Sequence, residues 1–166
     1  MIVAVFLGGY FWYIGGTNTV QNSPSLDFVD MMPGKKEARA DLPQEVEIVL
    51  AGRTIRAAHA DTLEEQERGL IGVAAIADDQ GMLYTFDVPT SASFWNKGMM
   101  MSYDLLWIKD DIVVGIESHV PKGGDVEEDY LVLDSPGEIT AALELSAGWH
   151  ERYGLKPGDP IRTNVE

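Results

Sequence analysis

The chain has no cysteine, few basic residues and no known catalytic fingerprint, and each shortage excludes something. Without Cys, its 166 residues can form no disulfide, no thiolate nucleophile and no Cys-ligated zinc site, and the redox compartment stays open. Twelve Lys and Arg stand against 27 Asp and Glu, a formal charge of -15, and the bases do not cluster. Phosphate backbones need a positive surface, so nucleic acid is not an expected partner. An anionic membrane surface would likewise repel the body of the protein. There is no internal repeat, no G-x-S-x-G, no Walker sequence and no dinucleotide fingerprint, so serine nucleophile chemistry and nucleotide hydrolysis have no support. His59, His119 and His150 form neither an H-x-x-x-H nor an H-x-H pair and read as surface or cap residues. No metal and no cofactor is implied. The acidic run from Asp125 to Asp129 lacks the alternating oxygen ligands of an EF-hand and reads as a solvated loop.

What is present suffices for one core: 45% of the residues are hydrophobic, and the length suits a single domain with a leader. Residues 1–14, MIVAVFLGGYFWYI, carry no charge. As a helix rising ~1.5 Å per residue they span roughly 21 Å, short of the about 30 Å of bilayer hydrocarbon. Residues 1–16 are therefore expected to be the remainder of an N-terminal membrane anchor or signal-like segment, the alternative being a buried first strand or helix. Residues 17–41 hold Asn, Ser, Pro, Gly and no periodicity, and read as a flexible linker. The folded domain is expected over residues 42–166.

Within it, residues 46–50 and 53–57 alternate around Ala51-Gly52 as a hairpin does. Thr62 and Glu65 have capping-box spacing and open a short helix through Leu70. A strand over residues 82–86 is broken by Val88-Pro89, with another over residues 92–97. Residues 103–109 and 112–120 flank Asp110-Asp111 as a second hairpin. Residues 121–137 read as a mobile surface excursion, with residues 130–133 a short edge strand. Residues 139–145 form a further strand, Ser146 caps a short helix that stops at Gly154, and residues 160–165 form a last strand. Many short strands with two brief helices predict an α+β fold, mainly an antiparallel twisted sheet or a partly closed β-barrel.

Residues 93–108 carry the chemical signal. Lys97 and Asp104, seven residues apart, interrupt apolar and aromatic sequence, and a lone buried charge loses several kcal/mol of hydration. The two are expected to meet each other, a ligand or trapped water. Either they form a structural ion pair that fixes strand register, or they line a cleft in which Lys97 attracts a small polar or anionic ligand while Trp95 and Tyr84 stack on its apolar face. Arg68 is a further candidate for that cleft. A catalytic alternative makes Asp104 or Glu117 a general base and Lys97 an electrostatic stabiliser in a hydrolase or transferase. The run Met99-Met100-Met101 could gather Cu(I), but Met more commonly fills irregular cores.

The order of EEQERGL at residues 64–70, Gly81-Met82-Leu83-Tyr84-x-Phe86, residues 93–108 and ALELSAGWHERYGLKPGDPI at residues 142–161 resembles the DUF192 (UPF0127) family. Trp95, Lys97 and Asp104 fall on the Trp, Lys and Asp of that family's central W-M-K-N-T-L-I-P-L-D motif. Gly98, Met99 and Ser102 depart from it, and Ile71-Gly72-Val73 lacks the Arg usual after the first motif. The resemblance implies a small extracytoplasmic or membrane-tethered domain and supplies no activity. Deleting residues 1–16 is expected to move the protein from the membrane fraction to the soluble one; a soluble full-length protein would refute the anchor.

Overall fold

Alternation builds the first two strands. Glu45–Leu50 (β1) buries Val46, Ile48 and Leu50 and exposes the residues between them. The chain then reverses at Ala51 and Gly52, whose φ angles of 48° and 71° match the twist of a two-residue hairpin turn. Arg53–Ala60 (β2) runs back antiparallel, with Arg53 opposite Leu50. Residues 45–124 and 126–164 are described by the structure, a computed structural model. The expected anchor and linker lie outside the described residues.

Leu63–Arg68 (α1) starts with the anticipated capping box. The Thr62 hydroxyl accepts from the Glu65 amide, and the Glu65 carboxylate accepts from the Thr62 amide. Gly69 stops the helix with a φ of 48°, earlier than the sequence suggests. This helix lies on the crossover that lets Gln80–Trp95 (β3) pair parallel with β2, since parallel neighbours need a long connection. Two strands separated at Pro89 were expected, and one forms. The β3 register slips between Thr85 and Thr90, so the missing Pro89 amide falls where the ladder is already interrupted.

Tyr103–Lys109 (β4) and Ile112–Val120 (β5) make the predicted hairpin, with Asp110 and Asp111 at φ 49° and 63°. Val132–Ser146 (β6) is one strand between β3 and β4, where the sequence suggested a surface excursion, an edge strand and a separate inner one. Polar side chains hold its first half. Asn96 donates to the Pro121 carbonyl at 2.7 Å and accepts from the Leu131 amide at 2.6 Å. Ser93 bonds Asp134 at 2.6 Å, and Ser135 accepts from the Ala92 amide at 3.0 Å. Trp149–Tyr153 (α2) is entered through a left-handed Gly148 with no side-chain cap. The expected cap, Ser146, instead donates to Asp78 at 2.8 Å. Ile161–Thr163 (β7) pairs with β1.

The seven strands form one mixed sheet in the order β5-β4-β6-β3-β2-β1-β7. Its two edges touch at one end, where Ile112 bridges Pro160 and the Val113 amide donates to Asp159 at 3.0 Å. The sheet is thus curled into a half-barrel with two short helices, in agreement with the predicted fold class. The concave face packs Ile48, Ile55, Leu83, Leu106, Leu143 and Trp149 into the main core. Fully burying a Leu or Ile contributes roughly 2 kcal/mol, so the five aliphatic strand positions anchor the curl. Because successive residues of a strand point to opposite faces, Met82, Tyr84, Leu105, Trp107 and Ala142 face outward, where Leu70 and Val73 beyond α1 and Met99 cover them.

Among the described residues no helix is long and apolar enough to cross a membrane.

Candidate functional site

The cover over the outer face parts beside the end of α1, and the gap is a cleft. Arg68, Gly69 and Leu70 form one wall; Phe86, Phe94 and Trp95 of β3 form the other; Tyr84 and Glu144 lie at its floor. The cleft encloses about 460 Å³ of empty space counted to its mouth, of which about 40 Å³ admits the centres of water molecules. Gly69 permits the close approach, since a Cβ there would stand 2.6 Å from the Tyr84 hydroxyl. The Phe94 ring meets Tyr84 edge-on at 4.9 Å and Trp107 at 5.4 Å, a preferred aromatic geometry.

Glu144 is the unusual member. Its register neighbours are Met82 on β3 and Leu105 on β4, and only 3% of it is exposed. Tyr84 donates to its Oε2 at 2.8 Å, and this is its one side-chain donor among the described residues. Burial pushes the carboxyl up to about 7, while the Tyr84 bond pulls the other way. Both neighbouring phenols are raised in turn, by burial first and then by the Glu144 charge. The Tyr103 hydroxyl, also buried, has no hydrogen-bond partner among the described residues. An acid poised near neutrality in a cleft can accept or donate a proton or hydrogen bond there.

Three of the five expected site residues, Tyr84, Trp95 and Arg68, line this cleft. Arg68 pairs with Glu64 at 3.1 Å, the two side chains being 27% and 82% exposed. Lys97 and Asp104 do not line it, and their expected meeting is corrected. The Lys97 amine lies 5.9 Å from the centre of the Tyr130 ring. Asp104 is fully enclosed and finds other partners: the amides of His119 and Gly148, each at 2.9 Å, the amide of His150 at 3.1 Å and its Nδ1 at 2.8 Å. Burial acts to raise the Asp104 pKa, but these bonds, the His119 amide foremost, outweigh it and hold the carboxyl below its ordinary value. Asp104 thus ties β4 to the end of β5 and to the entry of α2. Glu117 accepts from Trp107 Nε1 at 3.3 Å and is no part of the cleft wall.

Two features escaped the sequence reading. Glu144 sits inside Ala141-Ala142-Leu143-Glu144-Leu145, a charge within an apolar run like the one that drew attention to Lys97 and Asp104. His119 and His150, read as separate cap or surface residues, come together on Asp104 with ring centres 6.5 Å apart. Of the three consecutive methionines, Met99 is buried in the cleft wall and Met100 is 60% exposed, so they diverge. Among the described residues no three His, Asp or Glu side chains gather to hold a metal ion.

The family model of DUF192, described as uncharacterized ACR, COG1430, matches residues 46–163. The fold is similar to the crystal structure of a protein put forward as a transcription regulator, from Sinorhizobium meliloti 1021, with a TM-score of 0.63 and 26% identity over 73% of this chain and 95% of that one. It is also similar to a protein of unknown function from Novosphingobium aromaticivorans DSM 12444, with a TM-score of 0.64 and 26% identity over 89% of this chain and 99% of that one. No curated protein matches.

The two buried carboxylates are expected to respond oppositely to mutation and pH. Asp104→Ala leaves three amides and an imidazole without their acceptor and should cost on the order of 3 kcal/mol in urea unfolding at pH 7. The stability Asp104 supplies is present above its ordinary pKa of 3.8 and is lost as pH falls through its lower folded value. Glu144 has the reverse sign: the folded state keeps its proton between 4.5 and about 7, so stability falls as pH rises across that window. Glu144→Gln should flatten that fall and give a more stable protein at pH 8. A wild-type stability that rises through the window, or a Gln variant weaker at pH 8, would contradict this placement.

Proposed function

This chain belongs to the DUF192 family, and from its cleft we propose that it is a non-catalytic accessory domain that binds a small polar ligand, tethered outside the cytoplasm by residues 1–16. The observation that carries the reading is Glu144. A buried carboxylate with a single donor is costly to the fold, and it lies under aromatic walls at the floor of an open cleft. That combination, apolar faces with one or two directed polar groups, suits the capture of a small molecule. Trp95 and Phe94 offer surfaces for stacking, and Arg68 adds one positive charge at the wall. The tether rests on the uncharged residues 1–14 and the linker-like composition of residues 17–41. Nucleic acid stays outside the proposal, because a formal charge of -15 opposes phosphate.

A hydrolase or transferase is the second reading, favoured by a carboxyl poised at about 7 where general acid and base work is efficient. Glu144, rather than Asp104 or Glu117, would then move the proton. Thermal unfolding of the full-length protein against saccharides, organic acids and amino acids tests the first reading. A ligand at about 100 times its Kd should add roughly 2.7 kcal/mol of stability, and Trp95→Ala should abolish the gain. If no compound raises the unfolding temperature, or if the gain survives Trp95→Ala, the cleft is not the binding site.

A further inference from the structure

We infer that the cleft takes a small zwitterion, an α-amino acid with an apolar side chain, its ammonium on Glu144 and its carboxylate on Arg68. The inference rests on the cleft being a ligand site and narrows its ligand class. One cleft is lined by Glu144 at its floor and by Arg68, the nearest cationic residue, at its wall, with Phe86, Phe94 and Trp95 alongside. Opposite charges joined by apolar surface are the complement of an amino acid.

Each end has unmet capacity. An ionised carboxylate offers about four acceptor positions; Tyr84 fills one on Glu144, and an ammonium brings three donors. Aromatic faces beside it add attraction for a cation. Arg68 is held by Glu64 alone among the described residues, in a pair whose acidic partner is 82% exposed. Such solvent-screened surface pairs are weak, so an incoming carboxylate displaces Glu64 at small cost and can engage the guanidinium through two parallel bonds.

Simpler ligands fit less well. A sugar leaves both charges without a counter-charge, and a plain anion brings its charge toward Glu144 as well as Arg68. A plain cation satisfies Glu144 but not Arg68. Glu67 also lines the cleft and, with the overall charge of -15, disfavours anions further.

Calorimetric titration of the full-length protein at pH 7.5 with L-alanine and L-leucine, their amides, their N-acetyl derivatives and glucose separates these cases. The free amino acids should bind, and the amides, which lack the carboxylate, and the N-acetyl forms, which lack the ammonium, should bind at least tenfold more weakly. Glu144→Gln should weaken the amino acid at least tenfold without weakening the N-acetyl form. Arg68→Met should weaken the amino acid but not the amide. Amides or N-acetyl forms that bind as well as the free amino acids overturn the zwitterion and leave the cleft reading standing, as does glucose binding where the amino acids do not. Failure of every compound overturns the zwitterion, and failure across the wider series of saccharides, organic acids and amino acids overturns the cleft reading as well. The wild-type ligand series decides the question even if a variant fails to fold.

Discussion

A carboxylate placed where the sheet's outer face should be apolar is the constraint on which the site depends. Glu144 lies between Met82 and Leu105 in the strand ladder, so the pairing of β6 fixes its side chain on the sheet's outer face. The surroundings must adapt to it. Tyr84 donates its hydroxyl to Glu144, and Gly69 has no side chain where a Cβ would strike that hydroxyl. The cover formed by α1 and the residues after it therefore closes down to the floor of the cleft yet leaves it open beside Arg68.

The fold contains a built-in comparison. Asp104 and Glu144 are both buried carboxylates on neighbouring strands, paired in register with adjoining residues of each other's strand. Asp104 receives three amides and an imidazole nitrogen; Glu144 receives one phenol. Burial raises the pKa of each, and the number of donors decides which effect wins. For Asp104 the bonds prevail and the group is a structural clamp. For Glu144 burial prevails and the demand for a partner stays open. The two similar side chains diverge through the donors each receives together with how deeply each is desolvated.

Much of the fold was legible in residue order. The β1–β2 and β4–β5 hairpins, the Thr62 capping box and the Gly154 stop all follow from local patterns, because turns and caps are decided by a few adjacent residues. The errors came where distant residues decide. β3 runs through Pro89 because a register slip removes the need for its amide, and β6 begins at Val132 because Asn96 and Ser93 hold it. Of the cleft lining, Tyr84 and Trp95 stand out in the sequence as aromatic faces for stacking, and Arg68 because its short helix precedes the strands that carry them. Lys97 was misplaced since the hydrogen-bond partners of Asp104 are backbone amides and His150, which no sequence spacing reveals. Glu144 was visible by the same rule that flagged Asp104, an acid inside an apolar strand, and was obscured by the abundance of acids, 27 acidic residues in the whole chain.

Titration of the Glu144 side-chain carboxyl by carbon NMR in the free protein tests the central claim most directly. The account predicts a midpoint at about 7, well above the ordinary 4.5. A midpoint near 4.5 would mean that the group is solvated or already well bonded, and the cleft would then have no unmet demand for a ligand to satisfy.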